Sequence, residues 1–337
     1  MSWKVLITAR TLHEVGGHAV QLLKNAGCEL IHPPKTGPLK AHELLPLLEG
    51  MDCVFASTDQ YNAEVLNSWQ ARSLKLISRW GVGYDSIDVA EATKLGITIA
   101  YTPGFLNETV ADYTFALLLA LARRVHEGHL SMSRGEWNLV WGADVHGKTL
   151  GLLGCGRIGQ AVAKRASGFN MKVIAYDTCP SPELEKLGIE CVSFAELLAR
   201  SDFLSLHASL TPENRGLLGE KELRQMKKTA FLINAARGAL MDETALLRAL
   251  QEKWIAGAAL DTFVVEPMPW GSPFRTAPNV LLTPHLASFG RETGEQVSNT
   301  AAQAIVDLMN GRQPRLTLNP DVFKLRALRA TLQSENP

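Results

Sequence analysis

No charge of either sign dominates this chain: 34 Lys and Arg balance 34 Asp and Glu. Without a basic excess there is no electrostatic footprint for nucleic acid or an anionic membrane as the main partner. Cysteine is scarce and unpatterned. The five, Cys28, Cys53, Cys155, Cys179 and Cys191, are odd in number and form no C-x-x-C. Neither a disulfide framework nor a zinc site is indicated. Long hydrophobic runs are missing as well. The longest apolar stretch, 115–122, falls far short of the roughly 20 residues that span a bilayer. Residues 3–8 read as a strand with no cleavage signature, so no secretory leader is visible and a reduced, cytoplasmic setting is expected. No tandem repeat occurs at a solenoid period. What remains is an ordinary composition, 46% hydrophobic and 20% charged over 337 residues. That length suffices for two domains with cores of their own.

What is present centres on 148–159, KTLGLLGCGRIG. The apolar run 149–153 reads as a buried strand, and helical spacing resumes after Gly159. G-x-G-x-x-G between a strand and a helix is the dinucleotide-binding pattern. Gly154 allows the tight turn. Gly156 lets backbone approach a pyrophosphate, and Gly159 lets the helix pack on the strand. Arg157 and Ile158 complete the loop. A second apolar run, 171–176, ends in Asp177, about 20 residues past the glycines, where a carboxylate would bind the adenosine ribose.

The rest alternates between β and α. Strands are expected at 3–8, 28–33, 52–57, 74–80 and 97–103, with helices at 13–27, 41–51, 63–69 and 88–96. A long apolar-rich helix follows over 110–124, then a poorly periodic segment with Arg134, Trp137 and Trp141. Beyond the glycine loop come strands at 202–208, 229–236, 255–261 and 279–285, with helices at 194–200, 220–226 and 242–253. A last helix covers 290–308, and the polar tail from Asn319 is expected to fray. The pattern predicts an α/β protein with doubly wound parallel sheets.

Ligands in such sheets bind beyond the carboxyl ends of the strands. The polar residues there are Arg79 to Gly83, Asp177, His207, Asn234 to Gly238, Asp261 and His285, with Glu266 on a following loop. Arg237, in a constrained turn before Gly238, can clamp a carboxylate with two hydrogen bonds. The His285 imidazole can exchange a proton with an oxygen near neutral pH. Glu266 beside it would fix its tautomer and favour its charged form. The remaining histidines lie on helices or loops without ligand spacing.

Taken together, RWGVGYDSID (79–88), GCGRIG (154–159), INAARGALMDETAL (233–246), ALDTFVVEP (259–267) and LLTPHLAS (281–288) resemble the D-isomer-specific 2-hydroxyacid dehydrogenases. That family includes phosphoglycerate dehydrogenases, hydroxypyruvate reductases and phosphite dehydrogenases. The resemblance covers nearly the whole chain. It implies two Rossmann-like domains. The substrate domain is discontinuous, 1–103 plus 287–337, and the NAD-binding domain covers 104–286. It implies a catalytic trio of Arg237, Glu266 and His285, and no metal. Substrate contacts fall on Arg79, Val82, Gly83 and Arg237. Cofactor contacts fall on Gly154, Gly156, Arg157, Ile158, Gly159, Asp177, His207, Thr211, Ala235, Ala236, Arg237, Asp261 and His285. The implied reaction passes a hydride between NAD(H) and C2 of a small D-2-hydroxy or 2-oxo acid, of phosphoglycerate or hydroxypyruvate type. A homodimer is implied, with Arg134 and Trp137 in an arm reaching the partner. Trp80, Tyr84 and Ser86 depart from the commonest pattern and leave the substrate open. Phosphite oxidation is the rival chemistry. A nicotinamide-sensing corepressor is the rival class, although such proteins tend to lack an intact trio.

Overall fold

The computed structural model describes residues 2–178 and 181–333. It divides into two compact units, Met1–Leu106 with Phe289–Pro337, and Asn107–Ser288. No helix among the described residues is long and apolar enough to cross a membrane.

The first unit holds strands β1 (Lys4–Ile7), β2 (Glu29–Ile31), β3 (Cys53–Ala56), β4 (Leu76–Arg79) and β5 (Thr98–Ala100). They form one parallel sheet in the order β2-β1-β3-β4-β5. β3, β4 and β5 are buried along their whole length. Burial on both faces explains why β3, Cys53-Val54-Phe55-Ala56, reads as an unbroken apolar run rather than an alternating one. Helix Arg291–Met309 returns the chain to this unit. There Ser78 donates to the Ala301 carbonyl at 2.8 Å and the Trp80 indole to Ser298 at 3.0 Å.

The second unit holds β6 (Thr149–Leu153), β7 (Lys172–Tyr176), β8 (Ile189–Cys191), β9 (Phe203–Leu206), β10 (Phe231–Asn234), β11 (Gly257–Leu260) and β12 (Val280–Leu282). Their parallel order is β12-β11-β10-β9-β6-β7-β8. The chain runs outward from β6 to β8, then crosses back to β9 on the other side of β6. That reversal opens a crevice at the carboxyl ends of β6 and β9, where a doubly wound sheet takes its ligand. Separate apolar clusters cover the two faces, one around Leu204, Leu232 and Leu246, the other around Leu118, Val162 and Ile233. Helix Asn107–Ala122 packs on helix Arg157–Ala166, and Arg165 ties them by pairing with Glu108 and Asp112, each at 2.7 Å. The expected class, two doubly wound parallel α/β domains, is the one observed.

Several elements differ in detail. The helix expected over 13–27 is two, Thr11–Val15 and Gly17–Asn25. They break at Gly16, where a Cβ would sit 2.5 Å from the Leu12 carbonyl oxygen. The helix expected over 41–51 tightens into a 3₁₀ turn at Leu45–Leu47, which contains Pro46. Helix Val125–Ser133 and strand β8 fall in stretches too polar or too short to show a period. The tail does not fray as expected through residue 333. Asn319 is buried, accepting from Ile99 N at 2.8 Å and donating to the Ile97 carbonyl at 2.9 Å. The Arg329 guanidinium donates to the carbonyls of Leu95, Ala71 and Leu74. A single arginine thus caps the carboxyl ends of two helical segments at once, Val89–Lys94 and Gln70–Ser73, which a polarity reading cannot anticipate. Cys179, Pro180 and 334–337 lie outside the described residues.

Candidate active site

The glycine loop leaves β6 through Gly154 at φ +89°, a left-handed turn that L side chains rarely adopt. A Cβ there would also come within 2.5 Å of the Ala208 amide as β9 exits alongside. At Gly159 a Cβ would meet the Gly154 carbonyl at 2.6 Å. At Gly156 it would meet nothing within 4 Å. Gly156 precedes helix Arg157–Ala166, whose first turn has no side-chain cap. Open space over bare backbone and unpaired first-turn amides makes a cradle that suits a pyrophosphate. The Asp177 carboxylate lies against this loop and accepts from the Cys155 amide at 2.7 Å. Burial pushes the Cys155 thiol up to about 12, which makes it a poor nucleophile.

Across the crevice, the His207 amide donates to the Leu153 carbonyl at 2.7 Å. Its Nε2 lies 2.8 Å from Ser205 Oγ. Burial lowers its pKa to about 4, so the ring is neutral at physiological pH. The Thr211 amide donates to Asn214 in the next turn.

The end of β10 is fixed by Asn234, fully buried. Its amide donates to the Arg237 carbonyl at 2.9 Å and accepts from Ala236 N at 3.0 Å. Ala235, Ala236 and Arg237 therefore sit on a braced turn. Gly238 closes it against Phe263 and Val264, too tightly for any side chain.

Asp261, at the end of β11, is fully buried. Its Oδ1 accepts from Thr283 Oγ1 at 2.6 Å and Leu286 N at 2.8 Å, and its Oδ2 from Ala287 N at 2.8 Å. The His285 amide donates to the Asp261 carbonyl at 2.8 Å. The carboxylate thus clasps residues 283–287 on both sides of His285. Within the clasp His285 holds φ +56°, uncommon for a non-glycine residue. His285 lies three residues beyond β12, not at its end as the sequence suggested.

Glu266 Oε2 lies 2.8 Å from His285 Nδ1, while Oε1 accepts from Phe263 N at 2.9 Å. A carboxylate only accepts, so Nδ1 carries a proton and Nε2 is left for a reacting oxygen. Burial acts to raise the Glu266 pKa. The His285 hydrogen bond and charge, the Phe263 amide and the charge of Arg237 outweigh it, so the group lies below its ordinary 4.5. All three members of the expected trio therefore sit on the second unit, with His285 and Glu266 in direct contact.

The glycine turn after β4 belongs to the first unit. Gly81 holds φ +126° and is tied to Thr102 twice, through its own amide at 2.9 Å and its carbonyl at 3.1 Å. Arg79, expected among the substrate contacts, is 7% exposed. Its guanidinium donates to the carbonyls of Gly83 and Trp80. Trp80 is buried, whereas Tyr84 is 46% exposed and meets Tyr101 edge-on. Thr283 and Thr102 escaped the sequence reading as site residues, and Asn234 was read only as one of the strand-end polar residues. Only strand-end position could have flagged them, because their work is to hold neighbouring backbone.

A phosphate cradle beyond β6 at the switch point, with an imidazole–carboxylate pair beyond β11 and β12, three and four strands along the sheet, defines a nicotinamide-dependent oxidoreductase acting on a CH–OH group. The comparisons agree. Residues 115–287 match the family model described as D-isomer specific 2-hydroxyacid dehydrogenase, NAD binding domain. A protein named glyoxylate reductase from Thermofilum pendens is 40% identical over 334 residues, 96% of this chain and 97% of that one. Another of that name, from Korarchaeum cryptofilum, is 46% identical over 276 residues, 80% of this chain and 82% of its own. The crystal structure of the TT0316 protein from Thermus thermophilus superposes with a TM-score of 0.84 at 40% identity. It covers 94% of this chain and 99% of that one. The chain belongs to the D-isomer-specific 2-hydroxyacid dehydrogenase family.

Proposed function

We propose that this protein reduces a small 2-oxo acid with NADH as its preferred cofactor, with glyoxylate and hydroxypyruvate as the leading substrates. The observation that carries the reading is the His285–Glu266 contact on a backbone held by Asp261. The bound nicotinamide supplies the hydride to C2 of the acid or takes it back. Arg237 orients the acid's carboxylate and polarises its carbonyl. His285 gives a proton from Nε2 to the forming hydroxyl in reduction and accepts it in oxidation. Glu266 keeps the imidazole in the tautomer and orientation this requires. The Val82 and Gly83 amides of the first unit hold the substrate carboxylate. In this reading residues 1–103 and 287–337 form the substrate domain and 104–286 the cofactor domain.

The preference for NAD rests on Asp177, whose carboxylate favours ribose hydroxyls and repels a 2′-phosphate. Its place against the glycine loop supports this. The glyoxylate reading takes its support from the relatives' names. A homodimer is supported by the arm after helix Val125–Ser133. There Trp137 is 78%, Leu139 86% and Trp141 93% exposed, more apolar surface than a lone monomer usually shows.

The test is one panel. NADH and NADPH oxidation are followed with glyoxylate, hydroxypyruvate, phosphohydroxypyruvate and pyruvate, and NAD reduction with phosphite. Light scattering gives the mass in solution. NADH with glyoxylate or hydroxypyruvate should give the highest kcat/KM. Highest efficiency with phosphohydroxypyruvate or phosphite would replace the substrate reading, and equal efficiency with NADPH the cofactor reading. Cofactor binding without turnover of any compound would favour a sensor.

A further inference from the structure

Arg79 ends β4 immediately before the 80–83 turn, and its guanidinium is enclosed by that turn. Nε donates to the Gly83 carbonyl at 3.0 Å, and Nη1 to the Trp80 carbonyl. A Cβ at Gly81 would stand 3.0 to 3.3 Å from the guanidinium atoms, so the group fills the hollow of the turn. Thr102 takes both polar groups of the Gly81 backbone, and the Trp80 amide donates to the Ala56 carbonyl. Each of these bonds engages a peptide group other than the Val82 and Gly83 amides. Among the described residues, neither of those two amides donates to a backbone carbonyl.

Within the field of Arg79 lies a carboxylate the proposed reaction does not use. Asp59 is fully buried, beyond the end of β3. It accepts from Thr8 Oγ1, from Leu39 N at 3.0 Å and from Ser57 N at 3.2 Å. Burial raises its pKa, while these donors and the positive charge of Arg79 act against that rise. A buried guanidinium whose donors face neutral carbonyls needs a countercharge nearby, and Asp59 supplies one.

We propose that Arg79 and Asp59 are positioning residues for the substrate-carboxylate turn: Arg79 binds its carbonyls so that the Val82 and Gly83 amides stay available, and Asp59 balances the charge of Arg79. This rests on the reading of that turn as the carboxylate site. It reverses the expectation that Arg79 itself touches substrate. A guanidinium that is 7% exposed and turned onto two chain carbonyls is poorly placed to meet an anion, whereas two successive backbone amides can form an anion site.

The test uses the full-length protein with NADH and glyoxylate, or the panel acid with the highest kcat/KM. Asp59→Asn should raise KM at least tenfold, with a smaller effect on kcat and no change in NADH affinity by fluorescence titration. Arg79→Lys should do the same. The double variant should be no worse than the more impaired single variant within about threefold, because residues of one network do not add. An unchanged KM in Asp59→Asn beside a raised KM in Arg79→Lys would overturn the proposal and make Arg79 a direct ligand. Val82→Pro deletes one amide hydrogen. If it leaves KM unchanged, the reading of the turn fails. If it raises KM while Asp59→Asn does not, only the positioning role fails. Should Asp59→Asn not fold, Thr8→Val removes one of its donors and should raise KM about threefold, and no rise would count against the proposal.

Discussion

Replacing Asp261 by asparagine keeps the volume of the side chain but changes what it can accept. The carboxylate takes three donors, Thr283 Oγ1, Leu286 N and Ala287 N, with no solvent to replace them. An asparagine oriented to keep Thr283 and Leu286 turns its NH₂ toward the Ala287 amide, so two donors face each other. One charge-assisted bond is lost, worth roughly 1.5–3 kcal/mol, and a buried amide is left unsatisfied at about 1–3 kcal/mol. Partial relaxation of the 283–287 turn brings the net to about 3 kcal/mol. For a unit of this size each kcal/mol moves Tm by about 2–4 °C, so a fall of roughly 6–12 °C is expected in thermal unfolding followed by circular dichroism. Relaxation of the turn also releases His285 from φ +56°. Displacement of a catalytic group by about 1 Å costs on the order of 10²-fold in rate, so kcat with the preferred acid should fall by that order. Thr283→Val removes a hydroxyl and no charge, and should cost about 1–2 kcal/mol. An Asp261→Asn protein with Tm within 2 °C and kcat within about threefold of the parent would refute the clasp, given the size of a charged bond.

Three further outcomes follow from the site. Glu266 lies below its ordinary 4.5, so its charge is complete above that value and is lost only as pH falls through the depressed one; kcat/KM for reduction should persist below pH 4.5 in the parent, and Glu266→Gln should start about 10–100-fold lower without that acid limb. His207, lowered from 6.5 to about 4, takes up its proton in the unfolded chain first. Stability should therefore fall as pH drops from 6.5 toward 4, by on the order of 3 kcal/mol; urea midpoints should track this loss, and His207→Gln should flatten it. Arg237→Lys keeps charge but not the two-pronged geometry, and should lower kcat/KM by about 10²-fold or more with NADH affinity held; collapse of NADH binding with KM for the acid unchanged would contradict the assignment.

Most of the fold was legible because buried parallel strands announce themselves as short apolar runs. β3 and β11 are examples, apolar and buried along their whole length. The glycine loop was legible for a different reason: Gly154 and Gly159 each face backbone too close for a Cβ. What stayed hidden depends on contacts between distant residues. Nothing local in Asn319 or Arg329 shows that they bind carbonyls more than 200 positions earlier in the chain. Asp261 and Arg79 were visible as strand-end charges, but their partners were not. Sequence position alone could not tell a charge that meets a ligand from one that holds a loop.

The composition of the first unit bears on how the protein is made. Its sheet comes from the first 106 residues, yet helix Arg291–Met309 and the docked tail come after the entire middle unit. On the ribosome, β1 to β5 emerge with Ser78 and Trp80 lacking their partners Ala301 and Ser298. The continuous middle unit can close while that sheet still waits with apolar surface uncovered. Vectorial synthesis therefore leaves the amino-terminal unit as the last to mature and the part most exposed to aggregation and chaperone capture, and any stall before residue 291 would release it incomplete.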